Sequence, residues 1–164
     1  MQTASKKSHN NLLFRNILLA GLLAGTLDAA AAIINYYVAT GKNPVIIFEY
    51  IASGVFGKRA YSGMQSYALF GLLFHFLIAI IFAAFYFWLY PKIKFLQNNR
   101  LASAVLYGIF VWLVMNLLIV PLTITHTWTF NIAKALLAVL ILVVCVGIPV
   151  SFTAASFYKK ARSG

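Results

Sequence analysis

Two acids, Asp28 and Glu49, stand among 164 residues that hold 13 Lys and Arg and three His. Asp28 is sunk in one apolar run, His75 in a second and Asn116 in a third. Near a bilayer centre an ionised carboxylate costs roughly 3 kcal/mol or more, so Asp28 must pair, hydrate or keep its proton. Two kinds of chemistry suit such a residue. It can tie helices together through hydrogen bonds, or it can hold a proton or cation. A neighbouring imidazole favours the charged pair, whereas dehydration favours the neutral forms, and the sequence leaves that balance open.

Other chemistries lack their residues. There is no close carboxylate pair, no HxxxH or HExxH spacing, no Ser or Cys nucleophile motif and no phosphate-cradling glycine loop. One membrane-embedded His and one Asp are too few ligands for a dedicated metal site. Cys145 is the single cysteine, which excludes an intrachain disulfide and a CxxC pair. The expectation is a protein that is not an enzyme and carries no cofactor or metal.

The elements that position Asp28 and His75 follow from composition. The chain is 63% hydrophobic and 9% charged with a mean hydropathy of +0.90, against roughly 25% charged residues in a soluble domain. Lipid is therefore its main solvent. A net charge of +11 would suggest nucleic acid on a soluble fold. Here the basic residues fall in short connectors, where they meet anionic lipid head groups, and no nucleic acid is expected.

A spanning helix needs about 20 apolar residues. Stretches at about 17–38, 67–90, 101–123 and 133–157 qualify. The expected fold class is all-α, a four-helix transmembrane bundle with a short interfacial or re-entrant helix at about 44–56. The domain reading is a disordered cytoplasmic segment at 1–12, one transmembrane domain at 13–158 and a basic cytoplasmic tail at 159–164. Lys6, Lys7 and the run ending in Asp28-Ala-Ala-Ala-Ala also resemble a secretory signal. That run is too long for a signal core, contains an acid and precedes three further spans.

In the short helix Asn43 is an N-cap, Pro44 a first helical residue, and Gly57 can close the helix in a left-handed conformation. Lys6, Lys7, Arg15, Lys92, Lys94, Arg100, Lys159, Lys160 and Arg162 then face one side, and Lys42, Lys58, Arg59 and Lys134 the other. Nine against four puts both termini in the cytoplasm.

At 100° per residue Gly21, Ala24, Gly25, Asp28, Ala32 and Asn35 share a stripe, with Leu, Ile and Tyr opposite. Gly21 and Gly25 form a GxxxG pair that lets another helix come close, and Gly71 and Gly108 are the packing glycines of spans two and three. His75 shares a face with Ala68, Gly71, Ala79, Ala83 and Tyr86, and Asn116 shares one with Ala104, Gly108 and Trp112. Counting about 1.5 Å per residue from the outer helix ends places Asp28, His75 and Asn116 at about 15, 12 and 10 Å depth. One polar cluster of Asp28, His75 and Asn116 is expected, with Asn35 above it. Glu49, on the short helix, is its outer lid or the partner of Lys58 or Arg59 in a wet ion pair. Pro121 and Pro149 are expected to kink spans three and four.

On these residues the chain resembles the YagU-like group of small uncharacterised bacterial inner-membrane proteins. The similarity covers about residues 15 to 125. It rests on Gly21-Leu-Leu-Ala-Gly25, on Gly71 and His75 with the Phe and Ala residues after them, on Tyr90-Pro91-Lys92-Ile93-Lys94, and on Pro121-Leu122. The outer connector is shorter than in that group, and a fourth span ends in a basic tail. The resemblance implies a bacterial inner membrane and brings no cofactor or established chemistry. Two functions fit: a structural, assembly or envelope-stress role built on the polar cluster, or a small transporter or proton-coupled channel using Asp28 and His75. The bilayer with its anionic head groups is the expected partner, and a homo-oligomer or a membrane-protein partner stays open.

Overall fold

The computed structural model describes residues 2–120 and 131–163, with side chains for residues 10–117, 119–120 and 131–160. Among the described residues it is all-helical. α1 runs Gln2–Thr40, α2 Ile46–Phe56, α3 Gln65–Leu89, α4 Lys94–Asn98 and α5 Arg100–Val114. α6, Ile132–Leu142, and α7, Ile148–Ser163, form the last rod. Four stretches, Asn10–Thr40, Gln65–Leu89, Arg100–Leu117 and Ile132–Lys160, are long and apolar enough to cross a membrane. The chain is thus a multi-pass helical membrane protein.

Asparagine caps α5 and α6, whereas α2 starts at Ile46 after a turn that holds Pro44, so Asn43 caps that turn rather than the helix. Asn43 Oδ1 accepts from Val45 N at 3.0 Å ahead of α2, Asn99 Oδ1 from Ala102 N at 3.2 Å ahead of α5, and Asn131 Oδ1 from Lys134 N at 3.1 Å ahead of α6. Gly57 ends α2 at φ 61°, ψ −147°. This is a positive-φ conformation suited to glycine, but not the left-handed helical one expected. A 3-10 turn, Gly57–Tyr61, follows and carries the chain toward α3.

Both ends of the bundle depart from expectation. α1 begins at Gln2 rather than near residue 17, and α7 runs on through the basic tail to Ser163. Polar residues do not stop a nucleated helix, because extending it adds one hydrogen bond per residue fixed. The disordered segment expected at 1–12 is helical from Gln2 onward.

α5 and α6 both loosen into a π turn, Met115–Ile119 and Val143–Gly147. There Val120 N donates to Met115 O and Ile148 N to Val143 O, five residues back. The second π turn delivers the chain to Pro149, so the register change falls where the proline ring would disturb an α-helical ladder. Pro121, the other expected kink, lies outside the described residues.

The packing is that of a chain whose solvent is lipid. Ala20, Ala24, Ala83, Ala104, Ala154 and Ala155 are buried, whereas Leu69 and Leu136 are 68% and 65% exposed. Small residues let rods approach, and large apolar ones cover the outside. A Cβ on Gly21 would lie 2.7 Å from Ile80 Cα, and one on Gly25 2.9 Å from the Phe76 ring, so α1 and α3 touch through those glycines. α2 folds back along α3, where Phe56 meets Tyr67, Phe70 and Phe74 at ring separations of 5.3, 5.4 and 6.1 Å.

The seam between α3 and α5 is built differently. Near the α4 end it is bridged by side chains: Tyr86 OH donates to Ser103 Oγ at 3.2 Å, Tyr107 OH donates to the Phe82 carbonyl, and Phe85 stacks on Phe110 at 5.5 Å. Toward the α2 end the seam borders an apolar groove lined by Phe74, Leu77 and Ile78 of α3 and Met115 and Ile119 of the third span.

Candidate functional site

A cavity of about 70 Å³ lies at the middle of the bundle. Every span and α2 contribute to it: Gly25 and Asp28 from α1, Ile51 from α2, His75, Ile78, Ala79 and Phe82 from α3, Val111 and then Met115 from the third span, and Leu142 and Val146 from the fourth. A water molecule needs roughly 10–15 Å³ of such space, so there is room for several. Asp28 and His75 are the only ionisable residues in the lining.

The small residues of α1 place these two side chains. With Gly25 against the Phe76 ring, α1 sits close enough to α3 for His75 Nε2–H to donate to the Gly25 carbonyl at 2.9 Å. A carbonyl only accepts, so His75 donates through Nε2–H. Phe48 and Phe76 meet the imidazole edge-on at 6.5 and 5.6 Å. Asp28 is half-buried and interacts electrostatically with His75. No hydrogen bond to its carboxylate is seen among the described residues. Cys145, in the second π turn, is a further titratable group within electrostatic reach of Asp28.

Two members of the expected cluster stand apart. Asn35 is exposed near the end of α1 and is not part of the cavity lining. Asn116 lies in the π turn and donates from Nδ2 to the Trp112 carbonyl of its own helix at 3.0 Å. The π turn changes register at Met115, so Met115 rather than Asn116 lines the cavity. Glu49 is half-buried on α2, and the α2 residue over the cavity is Ile51.

Sequence reasoning missed the tightest buried polar group. Tyr86, Ser103 and Ser151 are 0%, 0% and 1% exposed. Ser103 passes the hydrogen bond it receives from Tyr86 on to the Arg100 carbonyl at 3.0 Å, and Ser151 also reaches the Tyr86 hydroxyl. Tyr107 stands across Tyr86 at a ring separation of 4.6 Å, and Tyr158 OH donates to the Phe87 carbonyl at 2.8 Å. The available signal was serine on the small-residue faces of spans three and four, aligned with tyrosine rather than with a charge. Tyr86→Phe should lower stability by about 1 kcal/mol, the usual net value of one hydrogen bond. The check is thermal unfolding in micelles, and an effect above about 3 kcal/mol would mean that more than this bond is lost.

Fold and site together define a multi-pass helical membrane protein with an acid and an imidazole on a central cavity. No family model matches the chain, and no curated protein and no solved structure is significantly similar to it.

Proposed function

We propose that the chain is a small non-enzymatic transporter or proton-coupled channel of a bacterial inner membrane, in which Asp28 takes up and releases a proton or cation beside His75. The observation that carries the reading is the cavity lined by both side chains. A purely structural Asp–His tie gains most when the two groups bond directly and their surroundings close over them. Here His75 spends its Nε2 proton on Gly25 O, and Asp28 borders open volume. The resemblance to YagU-like proteins supports the bacterial inner membrane, and nine basic residues against four support cytoplasmic termini.

Asp28→Asn separates transport from assembly. The amide is near-isosteric but cannot exchange a proton. In proteoliposomes proton flux should fall more than tenfold while the melting temperature stays within a few degrees of the parent. Flux equal to the parent's would remove Asp28 from transport and return it to a structural role. Orientation is tested by alkaline phosphatase fusions, expected active at Lys42 and silent at Arg100; the reverse pattern would invert the topology.

A further inference from the structure

An apolar groove of about 380 Å³ runs along the α2 end of the α3/α5 seam, lined by Tyr50, Gly54 and Val55 of α2, Phe74 and Leu77 of α3, and Ile119 and Val120 beyond α5. Ile51, Ile78 and Met115 line both this groove and the Asp28 cavity. The two spaces are therefore neighbours, with these three apolar side chains on the border of both. The rim is exposed, Val55 by 63% and Leu77 by 53%, and on a spanning bundle it faces hydrocarbon. A tyrosine bridge of the same seam adjoins the cavity: Tyr107 OH donates to the carbonyl of Phe82, which lines it.

We infer that groove and cavity together form a binding site for a single-chain lipophilic amine, its ammonium head against Asp28 and its alkyl chain along the groove. Charge complementarity selects the head. Asp28 is the only acid on either lining, and no donor serves its carboxylate among the described residues. A buried carboxylate needs a countercharge and hydrogen bonds, and an ammonium supplies both in one group. In its neutral form His75 adds an acceptor at Nδ1, because Nε2–H is committed to Gly25 O. An ammonium group is about the size of a water molecule, which needs roughly 10–15 Å³ of such space, so the 70 Å³ cavity admits it. A fatty acid would set a second carboxylate against the first, and an alcohol would leave the charge uncompensated. The groove selects the tail, being lined by apolar side chains with an exposed rim.

This inference rests on the proposed proton site and deepens it. When Asp28 is protonated, an entering R–NH3+ displaces the carboxyl proton, so one H+ leaves for each cation bound and net charge is conserved.

The test uses the full chain in lipid nanodiscs with n-decylamine, n-decanol, n-decanoic acid and n-butylamine as probes. Melting temperature and proton release into weak buffer are read together. Decylamine should stabilise the parent and release protons, at concentrations at least tenfold below those at which decanol, decanoate or butylamine act. Asp28→Asn should erase the preference for amine over alcohol. Equal responses to amine and alcohol would overturn the inference by showing a groove that takes any alkyl chain. No response to decylamine in a protein whose proton flux still depends on Asp28 would overturn it too, while leaving the proton site standing. Should Asp28→Asn fold poorly, the comparison among the four probes on the parent decides by itself.

Discussion

Alanine at Gly71 is expected to unseat α2 from α3 and cost about 3 kcal/mol or more of stability, the upper range for overpacking a tight contact. The added Cβ would lie 1.8 Å from the Phe48 carbonyl oxygen, 2.5 Å from its carbon and 3.0 Å from Phe48 Cα. All three are backbone atoms, so no side chain can swing aside. The α2 backbone must retreat by more than an ångström, and its other contacts go with it. Phe48 leaves His75, Phe56 leaves its three partners on α3, and Ile51 lifts off the cavity. Thermal unfolding in micelles and protease sensitivity around Lys58 and Arg59 report the change. A melting temperature unchanged within about a degree would show that α2 does not sit on Gly71.

The second large effect is expected at the crossing of the third and fourth spans, where each helix offers a glycine to the other's backbone. A Cβ on Gly147 would meet the Ala104 carbonyl oxygen at 2.2 Å, and one on Gly108 would meet Val143 Cα at 2.6 Å. Gly147→Ala and Gly108→Ala should each destabilise by about 2–3 kcal/mol. The double variant should lose less than the sum of the two, because the first alanine already forces apart the rods that the second would push. Additive losses would mean that the two glycines serve independent contacts. Separation here would also disturb Val111 and Val146, which face the Asp28 cavity from the two sides of this crossing. Proton flux and stability should therefore fall together, unlike the split expected for Asp28→Asn.

The glycines also show how far sequence reasoning reached. Gly21, Gly25, Gly71 and Gly108 were legible because a glycine on the small-residue stripe of a spanning helix has few other uses. Their partners were not. Gly71 could have faced any helix, and only the fold sets it under Phe48 of α2. Gly147, in the tightest crossing after Gly71, sits in a π turn that a 3.6-residue period cannot anticipate.

By itself the sequence determined the solvent of this protein, the number of its spans, and the facts that Asp28 and His75 are held within spans and that a short helix follows Asn43, which caps the turn ahead of it. These are consequences of composition, length and local capping, which act over a turn or two of chain. The tertiary structure alone decided that Asp28 and His75 share one cavity, and that Asn116 and Asn35 turn elsewhere. It also decided that α3 and α5 are bridged by tyrosines at one end and bordered by a groove at the other. Those outcomes depend on register between rods distant in sequence. A π turn or one close glycine contact shifts that register by a residue, which rotates a side chain about 100° around its helix.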